Sequence, residues 1–97
     1  MILHWGPNNE HSAPVRTLLD TGSSIPLLSI TWAQPLDVPM VRRPQVKKVE
    51  DFAGEAVKGA GEFYTYPLLL QYRSHYTRES FEVAPLAVDY DVILPNW

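Results

Sequence analysis

The chain contains no cysteine. That absence removes disulfides, thiolate nucleophiles and cysteine-ligated zinc together, and it is compatible with a reducing, intracellular compartment. Its three histidines, His4, His11 and His75, have no metal-site spacing, and the sequence supports no Ser-His-Asp arrangement built on them. Long apolar runs are missing as well. No stretch approaches the length of a membrane span, and residues 1–5 lack the basic start and long apolar core of a signal peptide. An excess of positive charge is also lacking: the formal net charge is −3, so there is no general electrostatic reason to bind nucleic acid. The Arg42, Arg43, Lys47 and Lys48 cluster reads as a solvated loop and strand edge rather than a phosphate-binding track.

What is present points to one small all-β domain spanning residues 1–97. The composition, 45% hydrophobic and 20% charged, is that of an ordinary globular chain, near the size where a single core is adequate but modest. Nine prolines leave few windows for a long helix. Residues 2–5 read as a first strand, 6–12 as a polar turn and 15–19 as a second strand. Residues 30–44, with Pro35, Asp37 and Pro39, are loop-like. The weak alternation over 46–52 suits an exposed hairpin arm, with Asp51-Phe52-Ala53-Gly54-Glu55 at its tip and 56–61 returning. In the Gly59-Ala60-Gly61 stretch a bend or bulge is expected. Residues 63–72 carry the strongest strand signal, with Tyr64, Tyr66 and Tyr72 serving packing. A polar turn at 73–75 leads to a returning strand over 76–83, with Phe81 and Val83 on one face.

The richest local pattern is Leu18-Leu19-Asp20-Thr21-Gly22-Ser23-Ser24. A short apolar strand runs into a polar turn and delivers one carboxylate at its end. Gly22 offers positive-φ freedom and an uncovered amide, and Thr21 and Ser23 add hydroxyls beside the acid. Asp, Thr, Gly and Ser are also ordinary turn residues, so the tripeptide alone would suit a plain loop. Apolar flanks on both sides, with Ile25-Pro26-Leu27-Leu28 following, and a late segment, Tyr90-Asp91-Val92-Ile93-Leu94 before Pro95-Asn96-Trp97, argue for more.

Together these two segments resemble the retropepsin-like aspartic proteases of long-terminal-repeat (gypsy-type) retrotransposons. The resemblance implies an acid-protease fold, closed and barrel-like, with one lobe per chain and a flap hairpin. Asp20 is the only Asp followed two residues later by Gly, so each chain supplies one carboxylate where the chemistry needs two; a homodimer would supply the other. The resemblance makes Asp20, Thr21 and Gly22 catalytic and Ser23 supporting. It places Leu18, Asp51, Phe52, Ala53, Gly54 and Ile93 at the substrate. It implies a peptide or polyprotein substrate, no metal, no cofactor, no nucleic-acid or membrane partner, and a location in the cytoplasm or in virus-like particles. A plain surface hairpin remains the alternative to the flap, and a catalytically silent dimerisation or peptide-binding domain the alternative to the enzyme. Pro95 stands where many members have Gly. By the same resemblance the chain stops at Trp97 before a terminal helix and strand that often hold such dimers, so a weak dimer is expected.

Overall fold

Short segments punctuated by proline cannot build long elements, and the computed structural model, which describes residues 1–20, 22–23, 25–50, 53–87 and 89–95, has strands of two to five residues. In chain order these are β1 (Ile2–Trp5), β2 (His11–Pro14), β3 (Thr17–Leu19), β4 (Leu27–Ser29), α1 (Ile30–Ala33), β5 (Val41–Arg42), β6 (Phe63–Tyr64), β7 (Leu68–Tyr72), β8 (His75–Glu79), β9 (Glu82–Ala84) and β10 (Val92–Leu94). The fold is nearly all-β, and no helix among the described residues is long and apolar enough to cross a membrane.

Two sheets form. One has the order β2-β1-β7-β8 and is antiparallel throughout. The other is mixed, in the order β3-β10-β4-β9-β6-β5. Neither returns to its own edge, so among the described residues there is no closed barrel; β3 and β5 remain the edges of the larger sheet. Leu3, Trp5, Leu68 and Leu70 from the first sheet meet Leu28, Val92 and Leu94 from the second in one apolar cluster, joined by Phe81. Burial of this cluster is the main favourable term holding the sheets together.

Several sequence expectations are corrected. The strong 63–72 signal is broken into β6 and β7, which belong to different sheets. Pro67 lacks a ladder donor, and the chain crosses at Thr65, whose buried hydroxyl accepts from Phe81 N at 3.0 Å while its own amide donates to Phe81 O at 2.9 Å. The expected 76–83 strand divides at the same crossing into β8 and β9. The tyrosines of the 63–72 run do not all pack: Tyr66 is 67% and Tyr72 44% exposed. The polar residues 11–14, expected partly as turn, form an edge strand because β1 supplies a pairing partner. Within 30–44 there is one turn of helix, capped by Ser29 Oγ, which accepts from Trp32 N at 3.3 Å, and a short strand follows.

Arg43 departs from the solvated cluster. Its side chain is 17% exposed and pairs through both guanidinium nitrogens with Glu82, beneath Tyr64, whose ring centroid lies 4.6 Å away. Its Nη1 also donates to Gly61 O at 3.1 Å, tying the base of the 46–61 segment to β9. Within that segment, Val57 N donates to Val49 O at 2.8 Å and an isolated bridge joins Glu50 to Ala56. The hairpin arm is present as this narrow closure, turning through Gly54 at φ 82°.

Candidate active site

Asp20 follows the edge strand β3. The neighbouring β10 runs parallel to β3 and antiparallel to β4, filling the gap between the strands that flank the Asp20 turn. This threading holds the turn at both ends. Asp20 N donates to Leu94 O at 2.8 Å, and Ser23 N closes the turn on Asp20 O at 3.0 Å. The carboxylate is half-buried, and its Oδ1 accepts from Gly22 N at 2.8 Å.

Gly22 serves one of the two needs its sequence suggests, an amide left uncovered for the acid. What matters is proximity: a Cβ there would lie 3.1 Å from Asp20 Oδ1, crowding the oxygen that the amide binds. Ser23 differs from expectation. Its hydroxyl donates to Ile25 O at 2.7 Å, and with a single proton it cannot also donate to the Asp20 carboxylate. Ser23 therefore braces the turn, and the direct hydrogen bond to the acid comes from Gly22.

A cleft of about 360 Å³ opens beside Asp20. Gly22, Ser23 and Ile93 line it with Asp20, as do Ile25 and Leu27 from the chain after the turn, Glu50 and Val57 from the arm, and the 85–87 segment after β9. The structure thus brings together Asp20, Gly22, Ser23 and Ile93. Leu18 is registered beside Ile93 but is not among the lining residues. Ala53 and Gly54 are likewise outside the cleft wall: they sit beyond the Glu50–Ala56 bridge at the exposed end of the arm, where a turn faces solvent. Thr21, Asp51 and Phe52 lie outside the described residues, as does Trp97.

Sequence reasoning missed Glu50, Val57 and the 85–87 wall. The first two could have been found by following the arm inward from its tip to its paired residues. Pro85, Leu86 and Ala87 carry no local signal, since only the parallel pairing of β9 with β4 brings them to Asp20.

Asp91 is a structural acid. It is 5% exposed, and Arg16 surrounds it, donating from the backbone N at 2.9 Å and from Nη2 at 3.0 Å. Burial alone would raise its pKa, but the Arg16 hydrogen bonds and charge outweigh burial and hold the carboxyl below its ordinary range. A second cavity of about 290 Å³, lined by Arg16, Trp32, Tyr90 and Asp91 among others, shares Leu86 and Ala87 with the cleft. The pairing of its two charges leaves it less suited to chemistry than the Asp20 cleft. No group of three His, Cys, Asp or Glu side chains that could hold a metal ion occurs among the described residues. Compared with protein-family models, with curated proteins and with solved structures, the chain matches none.

Proposed function

We propose that this chain is a retropepsin-like aspartic endopeptidase that acts as a homodimer, each copy supplying Asp20 to a shared dyad. The observation that carries the reading is the Asp20 carboxylate, bound by the Gly22 amide, beside a cleft whose other walls are largely apolar and which the arm borders through Glu50 and Val57. An acid fixed by a backbone donor in such a cleft is equipped for proton transfer at a bound peptide.

In the dimer, two carboxylates close together cannot both ionise cheaply. One shared proton is the established behaviour of aspartic proteases and is carried over with the resemblance. The ionised member takes a proton from water, the water oxygen bonds to the scissile carbonyl carbon, and the protonated member hydrogen-bonds the carbonyl oxygen. Collapse of the tetrahedral intermediate breaks the C–N bond, and the departing nitrogen takes up a proton. An extended peptide would supply main-chain hydrogen bonds for affinity and alternate side chains for selectivity. Segments of a retrotransposon polyprotein are the proposed natural substrates, cut in the cytoplasm or in virus-like particles.

Pro95, directly after β10 where many retropepsins have Gly, favours a second reading: a silent domain that dimerises or binds peptide without cutting it. Asp20→Asn separates the two. The variant should fold with an unchanged circular dichroism spectrum while peptide cleavage falls by about 10²–10⁴-fold or more. Equal cleavage by variant and parent would place the activity elsewhere. A parent protein that binds the peptides and never cuts them would support the silent domain.

A further inference from the structure

Among the described residues, the titratable side chains lining the Asp20 cleft are Asp20 and Glu50, both acids, and none that lines it is basic. Glu50 stands on the arm, its side chain 44% exposed and paired with Lys48 Nζ at 3.0 Å. The same cleft is lined by the aliphatic Ile25, Leu27, Val57 and Ile93.

A site that combines aliphatic walls with a carboxylate on the arm suits one class of side chain. Lysine and arginine lay an apolar stem along hydrophobic surface and keep the charged head at a polar rim. We infer that Glu50 is a specificity-determining residue, and that the cleft prefers peptides placing a Lys or Arg side chain with its stem on the aliphatic wall and its cation at Glu50. This inference rests on the reading of the cleft as a peptide-binding active site. Among the described residues, Glu50 is the carboxylate that the arm contributes to the cleft. Lys48 does not cancel it. Its side chain is 74% exposed, such surface pairs are weak, and a carboxylate accepts several hydrogen bonds, so an incoming cation can join the partners that Glu50 already has.

The test uses a peptide that the protein cleaves and replaces each position near the scissile bond in turn by Lys or by norleucine, which keeps the stem and removes the charge. At one position Lys should raise kcat/KM over norleucine by about fivefold, the scale of a partly exposed ion pair. The preference should shrink as salt is raised. Glu50→Gln should bring the Lys-to-norleucine ratio near unity, and Glu50→Lys should reverse it in favour of a Glu-containing peptide. Equal rates for Lys and norleucine at every position, or a ratio unchanged in Glu50→Gln, would overturn the inference and leave the protease reading standing. Failure of the protease reading shows differently. The same peptides with a reduced, uncleavable amide are titrated against the parent and Glu50→Gln proteins. A Glu50-dependent preference in binding without any cleavage of the natural amide would keep the selectivity and remove the enzyme. No binding of any of these peptides would overturn both.

Discussion

At the residue scale, two of the chain's five aspartates, Asp20 and Asp91, stand in opposite relations to their surroundings. Asp20 is half-buried beside the cleft, bound through one oxygen by the Gly22 amide. Asp91 is buried and wrapped by Arg16, which links the approach to β3 with the start of β10. Because the folded protein holds Asp91 below its ordinary carboxylate pKa, its contribution to stability is present above the unfolded value of about 4 and is lost as pH falls through the folded value. Asp91→Asn should therefore destabilise at pH 7 by about 1–3 kcal/mol, the cost of losing hydrogen bonds to a charged group. Urea titrations of both proteins from neutral pH downward check this. The gap between them should narrow below about pH 4, where the parent loses the same charge. A gap that widened in acid would contradict the role given to Arg16.

The elements around the cleft depend on close backbone approach. Gly61 has φ 95°, and a Cβ at that position would lie 1.8 Å from Lys47 O, in the place where Lys47 N donates to Gly61 O at 3.0 Å. No side chain fits without parting the two sides of the arm base. Gly61→Ala should cost about 1–3 kcal/mol from backbone strain alone, and more from the contact. Thermal unfolding gives the stability, and proteolytic nicking within 46–60 reads local opening of the arm. Loss of stability without faster nicking would mean that the arm is held chiefly from elsewhere, with the Arg43–Glu82 pair the first alternative.

At the scale of the whole molecule, the larger sheet ends at β3, the strand that delivers Asp20, and Leu19 on that edge is 53% exposed. An unpaired edge with an exposed aliphatic side chain invites a partner. This edge leads directly to Asp20, so on the proposed reading it is a candidate surface for a second copy. Activity per mole of chain is expected to fall on dilution in step with dimer dissociation measured by sedimentation, and a covalently linked pair should resist that fall. A strictly monomeric species with constant specific activity would sink the dimer.

Local chemistry made part of this molecule legible in the sequence. Proline spacing pointed to short strands, Gly and Asp marked the turns, and Asp-Thr-Gly-Ser after an apolar run drew attention to Asp20, one of the two acids that line the cleft among the described residues. Short strands and turns can be read this way because turn geometry and binary patterning act over a few residues. The tertiary structure decided matters that involve distant residues. It broke the 63–72 run at Thr65 because the chain must pass between two sheets, and it buried Arg43 because β9 brings Glu82 to it. It turned Ser23 toward Ile25 and left Gly22 to hold the acid. Glu50, Val57 and the 85–87 segment reached Asp20 only through pairings between residues far apart in the chain. A carboxylate at a strand end can be read locally, but the walls around it depend on long-range pairing, which local patterns do not specify.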